Sequence, residues 1–432
     1  MARAIGTGAF VAELATLAGA ASVRPAVDAD AIDTIAPALL VEPETPDVLA
    51  AVLAWASRQG ARVVLRGGGT RLAWGRRPAP FDLVLSTGRL NRILHHEPGD
   101  LTVSVEAGRP VATLNHELAV HGQTLPVDVP SDASTIGGLL AVNDSGPRRH
   151  RHGAPRDLLI GMHLATTDGR LVKAGGNVVK NVAGYDLGRL MCGSFGSLAA
   201  IVSATFKLAP VPAATASLVC DFASADALGR ASAAIAESQL DPMCVDVRIE
   251  AGSGAAPGGT YRLLIRFAGL SEVNDAQLAE AQRRLASFDP RQSDAVSGDA
   301  ERHAWDDQTR GPWSASGAVV KLSWLPATLP AVADLVATLG RTTGTTLTLT
   351  ARAALGTGHL RVDGNTRTQA AAITTLRARS DIVSHVVIAR ANSDLKALAD
   401  VWSPPGDTMA LLQRIKDTMD PHGVLNAARG LI

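Results

Sequence analysis

The sequence predicts an α+β protein of two domains, and three observations support this prediction. The chain has 432 residues, which is more than one simple hydrophobic core usually accommodates. Two glycine-rich stretches lie early in the chain, at residues 66–70 and 130–146. From Thr215 onward, strand-like and helix-like runs alternate, which is typical of a sheet with helices packed on it.

The domain boundaries follow from breaks in this pattern. Pro210 and Pro212 mark the end of the first domain, and a proline-rich linker lies at residues 402–406. The N-terminus is apolar enough to resemble a signal peptide, but Glu13 interrupts its apolar run, so a short amphipathic helix is expected there rather than an export signal. We therefore expect an N-terminal helical segment at 1–40, the first domain at 41–212, the second at 213–400, and a C-terminal helix and tail at 401–432.

In the first domain, helix, strand and glycine-rich loop follow one another as in a small α/β lobe. Thr45 is a hydroxyl N-cap followed by proline, which predicts a helix that ends at Gly60. An apolar strand then leads directly into the first glycines. The elements expected in this domain are strands at 62–66, 81–86, 101–105 and 198–208, two strands between 157 and 174, and helices at 110–121 and 185–192.

In the second domain the alternation is regular. Strands are expected at 217–222, 245–250, 262–267, 318–324, 345–350 and 382–389, and helices at 223–239, 272–288, 329–339 and 366–379. A last amphipathic helix at 408–419 leads into DPHGVLN at residues 420–426.

Composition excludes several classes of protein. Hydrophobic residues make up 46% of the chain and charged residues 19%, which is ordinary for a soluble globular protein. The formal net charge is 0, so nothing indicates a nucleic-acid partner. The three cysteines, Cys192, Cys220 and Cys244, are too few and too widely spaced for a disulfide framework or an iron–sulfur cluster, which favours a reducing compartment. No apolar run reaches the ~18 residues of a membrane helix.

The two glycine-rich stretches have the composition of anion-binding loops. Consecutive glycines allow a positive φ and a close approach of the backbone to a ligand, and successive N–H groups in such turns form a nest for an anion. Two nests suit a long ligand with phosphates in its middle, such as a dinucleotide. Either stretch alone is also typical of an ordinary tight turn.

Three blocks of sequence carry a resemblance to a known family. They are RGGGT at 66–70, PSDASTIGGLLAVNDSG at 130–146 and KNVAGYDLGRLMCGSFGSLAAIVSATFKLAP at 180–210. In this order they resemble the FAD-binding module of the vanillyl-alcohol-oxidase superfamily, and within it the FAD-binding E subunits of bacterial glycolate oxidase. The resemblance spans residues 41–212 and returns at 420–426. It implies a PCMH-type two-lobed FAD-binding domain, an α+β, ferredoxin-like second domain, and a C-terminal segment that returns to the first.

The resemblance also implies which residues bind the cofactor. Relatives with covalently bound flavin have a histidine after the first glycines, where this chain has Gly69 or Thr70, so non-covalent FAD is expected. The residues assigned to FAD are Arg66, Gly67, Gly68, Gly69, Thr70, Pro130, Ser131, Thr135, Ile136, Gly137, Gly138, Asn143, Gly146, Lys180, Tyr185 and Ile201.

Several of these assignments have ordinary structural alternatives. Asn143 and Gly146 also fit a turn with a side-chain cap, and Ile201 also fits a plain strand core. Lys180, with Asn181 and Tyr185, could face the flavin or an anionic substrate, and a buried ion pair of Lys180 with a nearby aspartate explains the lysine equally well.

A basic segment follows the second glycine stretch. Its arginines, Arg148, Arg149 and Arg151, could bind a carboxylate. A solvated loop or a subunit contact is the favoured explanation.

One motif of the superfamily is missing. Its FAD-dependent 2-hydroxy-acid dehydrogenases carry HxGDGNxH in the second domain, and the nearest text here is GTGHLR at 356–361. We therefore predict no metal site and assign no catalytic residue. The resemblance implies a cytoplasmic subunit that works with a related catalytic FAD subunit and an iron–sulfur subunit to oxidise glycolate, a small 2-hydroxy acid, to glyoxylate, with membrane association only through partners. A stand-alone FAD oxidoreductase of another alcohol or hydroxy acid, and a scaffold that binds no flavin, remain open.

Overall fold

A computed structural model describes residues 8–176, 186–252, 259–314, 316–403, 406–426 and 428–431. The chain forms two compact units. Unit 1 consists of Met1–Asp144, Ala154–Val211 and Pro404–Ile432, and unit 2 of Ser145–Gly153 and Pro212–Ser403. Residues 145–153, which lie inside the predicted first domain, thus group with unit 2.

The helices are, in chain order, α1 (Gly8–Ala18), α2 (Pro46–Gln59), α3 (Val111–Leu118), α4 (Ile136–Val142), α5 (Arg149–His152), α6 (Pro155–Leu158), α7 (Leu187–Met191), α8 (Ala225–Ala236), α9 (Ser271–Leu285), α10 (Gly298–Ser314), α11 (Leu329–Thr343), α12 (Thr366–Ala378), α13 (Ser393–Leu398) and α14 (Met409–Met419).

The strands are β1 (Val23–Pro25), β2 (Leu39–Val41), β3 (Val63–Arg66), β4 (Leu83–Ser86), β5 (Ile93–Glu97), β6 (Thr102–Glu106), β7 (Gln123–Thr124), β8 (Leu159–Ala165), β9 (Leu171–Gly175), β10 (Ala200–Lys207), β11 (Ala209–Pro210), β12 (Ala214–Phe222), β13 (Cys244–Ala251), β14 (Thr260–Gly269), β15 (Gln292–Val296), β16 (Ala318–Ser323), β17 (Leu347–Arg352), β18 (Thr357–Val362) and β19 (His385–Arg390).

Unit 1 contains two main sheets, as a two-lobed domain requires. A four-stranded sheet has the order β1-β2-β4-β3. In this sheet β4 runs parallel to both β2 and β3, whereas β1 runs antiparallel to β2. A five-stranded antiparallel sheet has the order β5-β6-β10-β8-β9. Each sheet has its own apolar core, one around α2 and β4 and the other around α3, α4 and β10.

The helix that precedes the first glycines forms as its sequence predicts. The hydroxyl oxygen of Thr45 accepts a hydrogen bond of 3.3 Å from the amide of Val48 and so caps α2. The helix ends at Gly60, which has a φ of 65°, a conformation that costs glycine little. The next strand, β3, then delivers the chain to Gly67.

The C-terminal segment adds to the edge of β3. The amide of Val63 donates to the carbonyl of Val424 at 2.7 Å, and the amide of Asn426 donates to the carbonyl of Val63 at 2.8 Å. This parallel bridge between Val63 and Leu425 confirms that the end of the chain returns to the first domain.

Unit 2 is an eight-stranded antiparallel sheet in the order β15-β12-β14-β13-β17-β18-β16-β19. The first half has the chain order β12-α8-β13-β14-α9-β15, and the second half repeats it as β16-α11-β17-β18-α12-β19. Each half is therefore a βαββαβ unit of the ferredoxin-like kind, and β13 pairs with β17 where the two halves meet. The predicted ferredoxin-like domain is thus a tandem of two such units.

Four elements of unit 2 differ from the sequence expectations. Two strands, β15 and β18, and two helices, α10 and α13, were not predicted. β15 is an exposed edge strand of mostly polar residues, so it has no apolar alternation to detect. α10 is polar and contains Pro312, which ordinarily argues against a helix interior. The sequence GTGHLR at 356–361 lies largely in β18.

Candidate functional site

The first glycine stretch lies against residues 133–135 of the second within unit 1. A side-chain Cβ on Gly67 would overlap the hydroxyl of Thr135, and a Cβ on Gly68 would overlap the carbonyl oxygen of Ala133. The hydroxyl oxygens of Thr70 and Ser134 are 3.4 Å apart. Glycine at 67 and 68 is therefore required by the close approach of the two loops.

The first loop has the free donors of an anion nest. In the described part of the chain, no carbonyl or side chain accepts a hydrogen bond from the five successive amides of residues 67–71. Successive backbone N–H groups of this kind bind phosphate and similar anions.

The second loop differs from the expectation that it forms a second nest. The amide of Ile136 donates to the carbonyl of Arg109 at 3.0 Å, and that of Gly137 to the carbonyl of Ala107 at 2.7 Å. The amide of Gly138 donates to the Thr135 hydroxyl, which caps α4, at 3.4 Å. These donors are used within the protein because α4 packs tightly on the neighbouring loop, where a Cβ on Gly137 would meet Ala107.

Two adjoining cavities lie beside the loops and are open to solvent; with that open solvent included, the space in them is about 490 and 510 Å³. They share six lining residues: Leu65, Arg66, Gly67, Gly138, Ala141 and Phe195. The first cavity is further lined by Gly68, Gly69, Thr70, Arg71, Leu72, Thr135, Val142 and Arg429. The second is further lined by Thr87, Gly137, Gly196, Ala199, Ala200, Ile201 and Asn426.

The cavities bring together nine of the residues predicted to bind the cofactor. They are Arg66, Gly67, Gly68, Gly69, Thr70, Thr135, Gly137, Gly138 and Ile201. Residues of two glycine stretches and of β10, far apart in sequence, thus surround one continuous space.

Other predicted site residues lie elsewhere. Pro130 and Ser131 are not among the residues that line either cavity. Ile136 is fully buried in the apolar core, because the first turn of α4 points its side chain inward. Asn143 ends α4 with a φ of 47°, and its Oδ1 accepts from the amide of Arg156 at 3.3 Å, which is the turn-and-cap alternative. Gly146 belongs to the segment 145–153 of unit 2.

The start of the third sequence block, residues 180–185, is not part of the described structure. Lys180, Asn181 and Tyr185 lie outside the described residues, so their assignment stays a prediction. In the basic segment, Arg151 forms an ion pair of 2.7 Å with Asp241, a partner within the chain that none of the explanations offered for these arginines had specified.

Phe195, Asn426 and Arg429 are among the cavity-lining residues that the sequence analysis did not predict. Phe195 has a φ of 61°, an unusual conformation for an aromatic residue, and its amide donates to the carbonyl of Ala141 at 2.8 Å. Asn426 and Arg429 come from the C-terminal segment. The glycines on either side of Phe195, at 193 and 196, are the sequence signal for its turn, and DPHGVLN is the signal for the returning segment.

Three arginines line the first cavity, and they differ in their partners. Arg66 forms an ion pair of 2.7 Å with Asp30, and Arg71 lies 3.4 Å from a carboxylate oxygen of Asp144. The pKa of Asp30 is held below its usual range, first by hydrogen bonds from the Arg24 side chain and also by one from Arg66. Burial lowers the pKa of Arg429 to about 10.

The donor set of this site suits a dinucleotide such as FAD. Residues 67–71, whose amides have no acceptor in the described part of the chain, and Thr135 line a cavity in which glycines leave room for the backbone to approach an anion. The residues that line the two cavities include no histidine, cysteine or tyrosine. Within the described residues, no helix is long and apolar enough to cross a membrane, and no cluster of three or more His, Cys, Asp or Glu side chains is arranged to hold a metal ion.

Comparisons with known proteins agree with this chemistry. Residues 37–175 match the family described as "FAD binding domain". Glycolate oxidase subunit GlcE of Escherichia coli (strain K12) is 35% identical over 175 residues, which are 38% of this chain and 49% of that protein. Glycolate oxidase subunit GlcD of Bacillus subtilis (strain 168) is 33% identical over 213 residues, 49% of this chain and 45% of that protein.

A third relative has a different substrate in its name. D-2-hydroxyglutarate dehydrogenase of Xanthomonas citri pv. viticola is 37% identical over 177 residues, which are 41% of this chain and 38% of that protein. The chain spans less than half the length of each of these three relatives in its match.

Solved structures share the fold over nearly the whole chain. A crystal structure of p-cresol methylhydroxylase with substrate bound has a TM-score of 0.76 and covers 99% of this chain and 97% of its own, at 15% identity. The 4-ethylphenol oxidase from Gulosibacter chungangensis has a TM-score of 0.74 with the same coverage and identity. At this identity the likeness concerns the fold, and it confirms the PCMH-type architecture.

Proposed function

We propose that this chain, which carries the FAD-binding domain of the vanillyl-alcohol-oxidase superfamily and has FAD as its cofactor, is an FAD-linked oxidoreductase of the 2-hydroxy-acid type. More specifically, it is the FAD-binding subunit of a glycolate oxidase complex. Its similarity to the glycolate oxidase subunits GlcE and GlcD supports this assignment.

One observation carries the proposal: Gly67 and Gly68 pack against residues 133–135 beside a cavity lined by residues 67–71, whose five amides have no acceptor in the described part of the chain. The amides of residues 67–71 would hold the pyrophosphate, and the hydroxyls of Thr70 and Thr135 would donate further hydrogen bonds. Phe195, in the wall that the two cavities share, and Ile201, in the wall of the second cavity, would exclude water. When bound, FAD supplies the two-electron acceptor for oxidation of the substrate.

The accessory role in a complex has two supports. The HxGDGNxH motif of the hydroxy-acid dehydrogenases is missing from the sequence. Among the residues that the structure describes, those that line the two cavities include no carboxylate, imidazole or lysine that could remove a proton from a substrate. We therefore propose that a related catalytic FAD subunit and an iron–sulfur subunit complete the complex, which acts in the cytoplasm and contacts the membrane only through partners.

A stand-alone dehydrogenase is the second candidate. Similarity to D-2-hydroxyglutarate dehydrogenase, at 37% identity, favours a self-sufficient enzyme for another hydroxy acid.

The test is the visible spectrum of the purified full chain, followed by denaturation and identification of the released chromophore. We expect a yellow protein that releases FAD. Glycolate, D-lactate and D-2-hydroxyglutarate are then added without oxygen. Bleaching by one of them in the isolated chain would establish the stand-alone enzyme, whereas bleaching only after addition of partner subunits would support the complex. A colourless protein that does not take up added FAD would refute both oxidoreductase candidates.

A further inference from the structure

The side chain of Arg429 is a buried cation in the wall of the first cavity. The residue is only 3% exposed. Its Nη2 donates to the carbonyl oxygens of Leu72 and Trp74 at 2.5 and 2.8 Å, and its Nη1 lies 3.4 Å from Oδ1 of Asn426. These partners are all neutral, and the guanidinium stacks on the ring of Phe195 at 5.6 Å.

The two other arginines of this cavity have an acid beside them, but Arg429 does not. Arg66 and Arg71 face Asp30 and Asp144. No described carboxylate lies within ion-pair distance of Arg429, and its buried Nε has no hydrogen-bond partner among the described residues. Among the described residues, Asp33 raises the pKa of Arg429 from farther away, and this influence is smaller than the lowering by burial.

A buried charge without a counter-charge is costly, so such groups are normally paired. The unpaired guanidinium of Arg429 lies in the same cavity wall as the unpaired amides of residues 67–71. The amides are neutral donors, and a pyrophosphate carries negative charge that they cannot compensate. An anion in this cavity would satisfy the arginine and the amides together.

We propose that Arg429 binds the pyrophosphate of FAD and supplies the positive charge that the glycine loop lacks. This inference rests on the proposed function, because it requires that the cavity binds FAD. It also assigns a role to the returning segment, whose residue Arg429 reaches across to the carbonyls of Leu72 and Trp74. FAD would therefore stabilise the docking of residues 420–431 on the glycine loop.

The test compares the affinity of apo-protein for FAD and for riboflavin, which lacks the pyrophosphate, by fluorescence titration. For Arg429→Gln we expect FAD binding to weaken by about tenfold to a hundredfold, as for loss of a hydrogen bond to a charged group, and riboflavin binding to stay unchanged. Arg429→Lys keeps the charge and should bind FAD with an intermediate affinity.

Arg76 provides the matched control. Its guanidinium donates to the carbonyls of Gly430 and Leu431, so it holds the same segment, but it does not line the cavity. Arg76→Gln should leave the ratio of the two affinities unchanged. An equal change of that ratio in both variants, or an equal loss of FAD and riboflavin binding in Arg429→Gln, would overturn the proposal.

Hydrogen exchange in the wild-type chain provides an independent measurement that does not depend on how the variants fold. FAD should slow exchange in residues 420–431 more than riboflavin does, and equal protection by both ligands would contradict the proposal. Wild-type protein that binds no FAD would refute the proposed function and this inference with it. Wild-type and Arg429→Gln proteins with the same FAD affinity would refute this inference alone.

Discussion

Lys416 and Asp420 form a buried ion pair, with 2.5 Å between Nζ and Oδ2. Nζ also donates to the carbonyl oxygen of Ser197 at 2.8 Å. The carboxylate accepts hydrogen bonds of 2.9 and 2.8 Å from the amides of Val424 and Leu425. The pair therefore fixes the turn that carries the C-terminal segment to the edge of β3.

Asp420→Ala should destabilise the protein by about 3–5 kcal/mol, because it leaves the buried ammonium of Lys416 without its counter-charge. The double variant Lys416→Met, Asp420→Leu should recover much of this loss, since no buried charge remains. Urea unfolding measures both effects. Asp417→Ala, an exposed position on the same helix, is the control and should change the free energy of unfolding by less than about 0.5 kcal/mol. A loss of that small size in Asp420→Ala would contradict the prediction.

Gly68→Ala should abolish FAD binding, because its Cβ would overlap the carbonyl oxygen of Ala133 and force the two loops apart. Gly99→Ala is the control, since the nearest atom to its Cβ is a carboxylate oxygen of Glu97 at 3.6 Å. Absorbance at about 450 nm per mole of purified protein reports the bound flavin. Full flavin content in Gly68→Ala would show that the close approach of the loops is not needed for the cofactor.

Phe195→Gly should be more stable than Phe195→Ala by about 1 kcal/mol, the reverse of the usual order. The φ of 61° at this position is strained for alanine and free for glycine. At Phe206, a fully buried residue in the strand β10, the glycine variant should be the less stable of the two. Thermal unfolding of the four variants tests the contrast, and the same order at both positions would contradict it.

In Asp30→Asn, the free energy of unfolding should fall less steeply with decreasing pH than it does in the wild type. The hydrogen bonds from Arg24, and then that from Arg66, hold the pKa of Asp30 below its usual 3.8. Its contribution is therefore present above about pH 4 and is lost as the pH falls through the lowered pKa. At pH 7 the variant should lose about 2 kcal/mol, the cost of leaving charged hydrogen-bond donors unpaired.

The control for this prediction is Asp28→Asn, an exposed position on the same short turn. It should retain the wild-type dependence of the free energy of unfolding on pH. If the free energies of unfolding of Asp30→Asn and the wild type fall in parallel between pH 5 and 2, Asp30 does not determine the loss of stability at low pH.

Cys192 should be unreactive in the native protein. Burial raises the pKa of its thiol from 9.0 to about 12, and only the thiolate attacks a disulfide reagent. In a Cys220→Ala, Cys244→Ala background, the native thiol should react at pH 8 more than about a hundredfold more slowly than in urea. Equal rates would refute the prediction.

The raised pKa of Cys192 also predicts how the free energy of unfolding changes at alkaline pH. The contribution of Cys192 to stability is complete below about pH 9 and is lost as the pH rises towards 12, because the unfolded state then ionises first. Cys192→Ala should therefore lose less stability than the wild type between pH 8.5 and 10.5, measured by urea unfolding. An unchanged slope would contradict the prediction.

The loop and the elements before it could be predicted from the sequence because their signals are local. The start of α2 is determined by the Thr45 cap and Pro46, and its end by the positive φ of Gly60. The consecutive glycines indicate a loop whose backbone other atoms approach closely. The alternation of strands and helices in the second domain was predictable for the same reason, since most of these elements have clear apolar periods, whereas the polar β15 and α10 do not.

The rest of the site depends on contacts between distant residues. Ile136 lies in the core and Gly138 in the cavity wall, although both belong to one turn of α4, and only the packing of this helix decides which of them faces inward. Arg429 is separated from Leu72 by most of the chain. An arginine in a C-terminal tail has no local pattern that distinguishes a buried cation from a solvated one.

The bridge between Val63 and Leu425 has a consequence for biosynthesis. Asn426 and Arg429, which complete the two cavities, are made long after the glycine loops and after Ile201. At about 5–20 residues per second, roughly 10–45 s separate Ile201 from Asn426 on the ribosome. The nascent chain therefore lacks these two pocket residues throughout that interval, and we expect cofactor capture only after Arg429 has been translated.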